Sequence, residues 1–229
     1  MGRGYGESEF FLLFLKESGK ISRPFGIFSC EYRLQELVKI IERWIPMVYI
    51  LLGTGFEEAE ALVTADVLRR ANLPVSLVGV GGEYVTGSHN ITVRADIAVE
   101  DVALTEGDTV VLPGGMGGVA SMENSGAAMA LAREAAEKCH LAAICAAPTL
   151  LARAGLLKKG ARCVCYPGME GELSAAGAAP QMDRSTAVDG NLITGRGPGS
   201  AFDFGLKLVE TLAGADAARA VAAGLVYRV

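Results

Sequence analysis

Short apolar runs alternate with segments of helical periodicity along most of this chain. Each apolar run is four to seven residues long, which is typical of strands that are buried on both faces. The segments between them repeat apolar residues three and four apart, which is typical of helices that cover a sheet. Strands are predicted at 47–52, 74–80, 108–112, 141–144 and 161–166, and helices at about 58–72, 125–139, 149–154, 200–212 and 215–223. This order predicts an α/β sandwich with a mostly parallel sheet and right-handed crossovers.

Residues 1–46 differ from the rest in composition. Apolar residues at helical spacing predict an amphipathic helix at 30–44, which Pro46 ends. Met47 directly precedes the first core strand, so the chain is divided into an extension, 1–46, and a domain, 47–229. Two interpretations of the extension stay open: a dispensable or non-native start, or a helix that docks on an apolar surface. Its apolar patch at 10–15 is too short to span a membrane.

Charge and cysteine content exclude several classes of function. The net charge is −5 and no basic patch occurs, which argues against nucleic-acid binding. The five cysteines are odd in number, none forms a Cys-x-x-Cys pair, and only two histidines are present, so no metal site is expected. The pattern indicates a reduced, cytoplasmic protein without membrane contact.

Cys145 is the first candidate for chemistry. It follows the apolar run 141–144, and small residues, Pro148 and a helical pattern come directly after it. A thiol at such a strand-to-helix turn is expected to be exposed at the carboxyl edge of the sheet, near the positive end of a helix that favours the thiolate. The alternative is a small buried hydrophobic residue, because free cysteine is often buried.

Glu60 is the second candidate. It shares a helical face with Val63, Thr64 and Val67, so its carboxyl group is expected to be partly buried. Burial would raise the pKa of this carboxyl group and favour a protonated acid that donates a hydrogen bond. The alternative is a glutamate that is simply solvated in the first turn of a helix.

Two glycine-containing segments complete the candidate site. The run 113–118 follows a core strand and leaves N–H groups free to face a ligand, unless it is only a flexible turn. A hairpin is predicted at 84–93, and His89 lies in its turn, as a turn residue or at the edge of a pocket. A second hairpin is predicted at Asp189-Gly190.

Four segments, taken in this order, resemble the ThiJ/PfpI superfamily, and within it the branch of the parkinsonism-associated deglycase and YajL. Each motif is weak alone, and the four together are specific. They are Gly-Phe-Glu-Glu-Ala-Glu at 55–60, Leu-Pro-Gly-Gly at 112–115, Ala-Ala-Ile-Cys-Ala-Ala-Pro at 142–148, and Gly-Arg-Gly-Pro-Gly at 195–199 with Phe-Asp-Phe at 202–204.

The resemblance implies a flavodoxin-like three-layer fold and a homodimer. It implies that Cys145 is the nucleophile, that Glu60 is its protonated partner, and that the amides of Gly115 and Ala146 bind an oxyanion. Gly114, His89 and Tyr166 are candidates for the pocket.

The chain also departs from the superfamily pattern. The protease-like branch has a histidine where this chain has Ala146, so peptidase activity is not expected. The deglycase branch often has a histidine at Tyr166 and an arginine at His89.

Two functions are compatible with these residues. The first is a cofactor-free enzyme of the glyoxalase or deglycase type that acts on reactive carbonyls or glycated substrates, converting methylglyoxal to lactate. The second is a redox-sensing stress protein or holdase chaperone that uses an oxidisable cysteine.

Deleting residues 1–46 is expected to leave a soluble, folded protein, because the predicted core begins at residue 47. Gel filtration and circular dichroism of the truncated chain check this. If the truncated chain precipitates while the full chain stays soluble, the extension is structural.

Overall fold

The computed structural model describes residues 46–227. The helix predicted at 30–44 and Cys30 lie outside the described residues. The division into 1–46 and 47–229, and the choice between the two interpretations of the extension, therefore stay predictions.

The described residues form one seven-stranded sheet, two small two-stranded sheets and helices. The strands are β1 (Val48–Gly53), β2 (Val75–Val80), β3 (Tyr84–Thr86), β4 (Thr92–Arg94), β5 (Ile97–Ala98), β6 (Thr109–Leu112), β7 (His140–Ile144), β8 (Arg162–Cys163), β9 (Ala179–Pro180), β10 (Thr186–Asp189) and β11 (Leu192–Gly195). The α-helices are α1 (Glu58–Arg70), α2 (Met116–Glu123), α3 (Gly126–Lys138), α4 (Ala147–Arg153), α5 (Glu170–Ala175), α6 (Ala201–Ala213) and α7 (Ala215–Gly224).

The large sheet has the strand order β10-β11-β7-β6-β1-β2-β5. All neighbouring pairs are parallel except β10 and β11. In the centre, Val48 is aligned with Val75 of β2 on one side and with Thr109 of β6 on the other. The expected mostly parallel α/β sheet is confirmed.

Helices lie on both faces of the sheet because the chain crosses from strand to strand in two opposite directions. The chain passes from β1 through α1 to β2 in one direction, and from β6 through α2 and α3 to β7 in the other. Since crossovers between parallel strands are right-handed as a rule, these two are expected to place their helices on opposite faces. In agreement, α1 packs against α6, whereas α2 contacts α3 and α4.

The central strands are buried on both faces, which is why they are continuously apolar. All four residues of β6 are buried, as are Leu141 to Ile144 of β7. Full burial of one leucine or isoleucine side chain contributes about 2 kcal/mol. This core fixes the carboxyl ends of β1, β6 and β7 beside one another.

Local signals in the sequence are confirmed at several turns. Ser125 is the N-cap of α3, and its hydroxyl group accepts a hydrogen bond from the Ala128 N–H at 3.2 Å. β3 and β4 form the predicted antiparallel hairpin around residues 87–90. β10 and β11 form the second predicted hairpin, with Gly190 at φ 62°.

The strand predicted at 161–166 is wrong for most of its length. Only Arg162–Cys163 is a strand, and it pairs with β9 outside the large sheet. The Val164 N–H donates to Thr194 Oγ1 at 2.9 Å, and the Tyr166 N–H donates to the Cys145 carbonyl at 2.8 Å. Residues 164–166 therefore bond to the ends of other segments at the edge of the sheet and do not pair as a further strand.

The contact between α1 and α6 depends on a glycine. A Cβ atom on Gly205 would lie 2.9 Å from Val67 Cβ, which is too close for carbon atoms. Gly205→Ala is expected to lower the free energy of unfolding by about 1–3 kcal/mol, because overpacking outweighs the better helix propensity of alanine. Urea denaturation measures the change.

Gly126→Ala is the matched control, since Gly126 also lies in a helix but has no heavy atom within 4 Å of a Cβ position. It is expected to be neutral or slightly stabilising. Equal effects of the two substitutions would contradict the packing argument.

Candidate active site

Cys145 lies in the turn between β7 and α4, with φ at 67°. A non-glycine residue in this region is strained by about 1–3 kcal/mol, so surrounding bonds must hold it. The Cys145 N–H donates to the Gly195 carbonyl at 3.0 Å, and its own carbonyl accepts from Tyr166. The expectation of a solvent-exposed thiol is wrong, because Cys145 is only 8% exposed.

Glu60 lies in the first turn of α1 and is 1% exposed, so the alternative of a solvated glutamate is excluded. Its Oε2 accepts a hydrogen bond from the Gly114 N–H at 2.6 Å. Its Oε1 is buried without a hydrogen-bond partner among the described residues. Burial raises the pKa of Glu60 to about 7, the charge of Glu57 also raises it, and hydrogen bonds from Cys145 and Gly114 act in the opposite direction.

Gly114 lies beside both the acid and the thiol. A Cβ atom there would lie 2.7 Å from Glu60 Oε2 and 2.9 Å from Cys145 Sγ. The two side chains therefore meet across a residue that has none, and the structure brings together the two residues that the sequence singled out. Any larger residue at this position would force them apart.

Two backbone amides face the sulfur atom. The N–H groups of Gly115 and Ala146 both lower the pKa of the Cys145 thiol by hydrogen bonding to it. Gly115 has φ at 82° and directly precedes α2, so its N–H is free from the helix. The two residues predicted to bind an oxyanion thus lie beside the sulfur.

The charge state of the thiol depends on where one proton lies. Burial raises the pKa of Cys145, and an ionised Glu60 raises it further by its charge. A proton on Glu60 removes that charge, and the amides of Gly115 and Ala146 then offset part of the effect of burial. Burial remains the largest influence and outweighs the two amides, so the pKa of Cys145 is raised to about 12 and the thiol keeps its proton at neutral pH.

The expectation that the turn favours the thiolate is wrong. It invoked the positive end of the helix after Cys145, but α4 has only seven residues. Burial and Glu60 are the larger influences on the thiol, and both raise its pKa.

The site lies where the sheet changes direction. The loop after β1 and the loop after β6 are neighbours, and the chain leaves these strands toward opposite edges of the sheet. Ligands of open α/β sheets bind in the crevice at such a switch point. The position is therefore typical of a binding site.

The chain is similar to known proteins over most of its length. The DJ-1/PfpI family model matches residues 46–211. The Drosophila melanogaster protein dj-1beta is 42% identical over 178 residues, which cover 77% of this chain and 94% of the relative. Its crystal structure superposes with a TM-score of 0.75 at 40% identity, covering 80% of this chain and 99% of that one.

This chain belongs to the DJ-1/PfpI family. The resemblance to the ThiJ/PfpI superfamily and its flavodoxin-like fold is confirmed. Another relative, from Caenorhabditis elegans, is named glutathione-independent glyoxalase DJR-1.2 and is 32% identical over 160 residues, covering 70% of this chain and 84% of the relative.

The two other pocket candidates of this DJ-1/PfpI chain make different contacts. The His89 side chain is 67% exposed, and its Nδ1 lies 2.9 Å from Glu58 Oε2 and 3.7 Å from Glu57 Oε1. Tyr166 is 45% exposed, and its backbone is bonded to Cys145. The Tyr166 ring lies close to Gly197, where a Cβ atom would be 3.3 Å from Cδ2.

The sequence did not single out Glu58. Glu58 is 5% exposed and accepts hydrogen bonds from the hairpin turn that holds His89. Burial acts to raise its pKa, but the hydrogen bonds outweigh burial and lower the pKa to about 2. The only sequence signal for this role was the polar turn at 87–90, whose N–H and hydroxyl groups need a hydrogen-bond acceptor.

Glu57, Glu58 and His89 are also the one group in the described part of the chain whose ligand atoms are close enough to share a metal ion, all within 4.8 Å. These atoms already bond to one another and to Ser88. The expected absence of a metal site in this chain therefore stays a prediction. Within residues 46–227, no helix is both long and apolar enough to cross a membrane.

The pKa of Glu60 predicts a pH-dependent stability. A carboxyl group keeps its proton up to about pH 7 in the folded chain but loses it near 4.5 when unfolded. Its stabilisation is therefore complete below pH 4.5 and is lost as the pH rises through 7. Glu60→Gln removes the titrating group and with it this loss of stability. The unfolding free energy of the variant minus that of the wild type should therefore rise by on the order of 3 kcal/mol between pH 4.5 and pH 7.

Urea denaturation of both proteins at several pH values measures the difference, in which the other titrating groups cancel. A difference that stays constant from pH 4.5 to 8 would contradict a buried, protonated Glu60.

Proposed function

We propose that this chain is a cofactor-free, cysteine-dependent enzyme that acts on small reactive carbonyl compounds such as methylglyoxal. The observation that carries the proposal is the arrangement of Cys145 and Glu60 across Gly114, with the amides of Gly115 and Ala146 facing the sulfur. The relative named as a glutathione-independent glyoxalase supports the reaction class.

The first step is addition of the Cys145 sulfur to the aldehyde carbon. A carbon–sulfur bond forms, the carbonyl π bond breaks, and the resulting oxygen takes a proton, which gives a hemithioacetal. The amides of Gly115 and Ala146 are placed to stabilise the negative charge that develops on this oxygen. Glu60, whose pKa is about 7, is suited to exchange protons at neutral pH.

The second step moves hydrogen between the two carbons. A base removes the proton from the hemithioacetal carbon, and a proton returns to the neighbouring carbon, so that the aldehyde carbon is oxidised while the ketone carbon is reduced. The product is a thioester of lactate on Cys145. Water then breaks the carbon–sulfur bond, which releases lactate and restores the thiol. The sum is methylglyoxal plus water to lactate, with no external oxidant.

The same chemistry would act on early glycation adducts, which are larger substrates, as in a deglycase. His89 and Tyr166 are proposed to line the wider part of the pocket. Formation of a homodimer and a cytoplasmic location belong to the same proposal; the first rests on the family resemblance and the second on the cysteine pattern.

A redox role is the second candidate function. Stepwise oxidation of Cys145 by peroxide would give a sulfinate, whose oxygens the amides of Gly115 and Ala146 and a protonated Glu60 are placed to stabilise. A sensor or chaperone of this kind would suppress aggregation only after peroxide treatment and would show no carbonyl turnover.

Cys145→Ala is expected to lower lactate formation from methylglyoxal at least about 100-fold, because the covalent route is lost. The measurement is enantioselective detection of lactate with purified protein. Cys139→Ser is the matched control, since Cys139 is also buried but lies before β7, at the other end of that strand, where its thiol donates to the Thr105 carbonyl.

The control should keep turnover within about twofold of the wild type, since serine can make the same hydrogen bond. Equal turnover in Cys145→Ala and the wild type would overturn the proposal. So would a wild type that forms no product but suppresses aggregation after peroxide treatment, which would favour the redox role.

A further inference from the structure

Glu58 is a buried carboxylate that the proposed reaction does not use. Its side chain is 6% exposed, and both oxygens accept hydrogen bonds from a single turn. Oε1 accepts from the backbone N–H of His89 at 2.7 Å and of Ile91 at 3.4 Å. Oε2 is 2.9 Å from His89 Nδ1 and accepts from the Ser88 hydroxyl group at 3.1 Å.

The turn at 87–90 closes directly on this carboxylate. A Cβ atom on Gly87 would lie 2.4 Å from both Cδ and Oε1 of Glu58, so only glycine fits there. Asn90 takes a positive φ of 63°. The geometry is that of a turn held around an anion.

The same turn is bonded to the loop after β1. The Ser88 N–H donates to the Phe56 carbonyl at 2.8 Å, and the Gly55 N–H donates to the Thr86 carbonyl at 2.8 Å. Residues 55–57 are therefore held on one side by the hairpin.

On the other side, residues 55–57 contact the glycine segment of the thiol site. The Glu57 N–H donates to the Gly114 carbonyl at 3.0 Å. A Cβ atom on Gly115 would lie 2.4 Å from the Gly55 carbonyl oxygen and 2.7 Å from the Glu57 nitrogen. The place of Gly115, and of the N–H that it directs at Cys145, is therefore set by this loop.

We propose that Glu58 is a positioning residue for the thiol site: it holds the 87–90 turn, the turn holds residues 55–57, and these hold the Gly115 N–H on the Cys145 sulfur. The proposal deepens the proposed function, on which it rests for the importance of the thiol. Glu58 itself contacts neither the sulfur nor Glu60 in this arrangement, so its effect passes through the backbone.

A purely structural role is the competing explanation. Glu58 lies in the first turn of α1, where a carboxylate stabilises any helix. Loss of that effect lowers stability but does not move the Gly115 N–H. The test must therefore read the thiol itself.

The experiment compares the rate of Cys145 alkylation by iodoacetamide against pH in the full chain, followed by mass spectrometry of the Cys145 peptide. Glu58→Ala removes every bond to the turn, and Glu58→Gln keeps an amide oxygen that accepts from His89 and Ile91. Both remove the same negative charge, so the difference between them isolates positioning. Alanine is expected to shift the alkylation midpoint about one pH unit above that of glutamine, because the sulfur anion loses an amide hydrogen bond.

Two further variants separate positioning from stability. Ser125→Ala removes the hydroxyl cap of α3 and should lower the urea midpoint without moving the alkylation midpoint. His89→Ala removes the ring contact but keeps the backbone N–H, so a shift in the same direction as that of Glu58→Ala, but smaller, is expected.

Equal alkylation midpoints for Glu58→Ala and Glu58→Gln would overturn the proposal, even if both variants are less stable than the wild type. If Glu58→Ala does not fold, an unshifted midpoint in His89→Ala overturns it instead. Because alkylation needs no carbonyl substrate, a wild type without lactate formation would refute the proposed function and leave this test intact.

Discussion

The contact between a thiol and a carboxyl group across a glycine is the interaction on which the site depends. Cys145 and Glu60 come from different segments, β7–α4 and α1, and Gly114 leaves just enough space for both. Burial holds a proton on the pair at neutral pH, since the pKa of Glu60 is raised to about 7. A polar pair of this kind is costly to bury, and hydrogen bonds from the amides of Gly114, Gly115 and Ala146 offset part of that cost.

The fold provides this arrangement through parallel strands. The carboxyl ends of β1, β6 and β7 are neighbours, so the segments that follow them converge on one edge of the sheet. Close approach of these segments requires glycine, because a side chain on Gly114, Gly115 or Gly118 would collide with its neighbours. The glycines at 114, 115 and 118 of this chain are therefore explained by packing between loops around the sulfur.

The hairpin of β3 and β4 extends the same network outward. It joins neither the central sheet nor the thiol, yet its turn encloses Glu58 and bonds to the loop after β1. The exposed imidazole of His89 is thus anchored by a buried carboxylate. A layer of residues without direct contact to the sulfur supports those that touch it, which is a general requirement for a preorganised site.

The sequence by itself determined the alternating α/β order, the two hairpins and the two residues of the thiol–acid pair. These features follow from local periodicity, turn residues and four short motifs, which act within a few residues of each other. Only the tertiary structure decided that Cys145 is nearly buried, that the segment at 161–166 leaves the sheet, and that Glu58 binds the 87–90 turn. Each of these depends on contacts between residues that are distant in the sequence, and no local pattern specifies such partners.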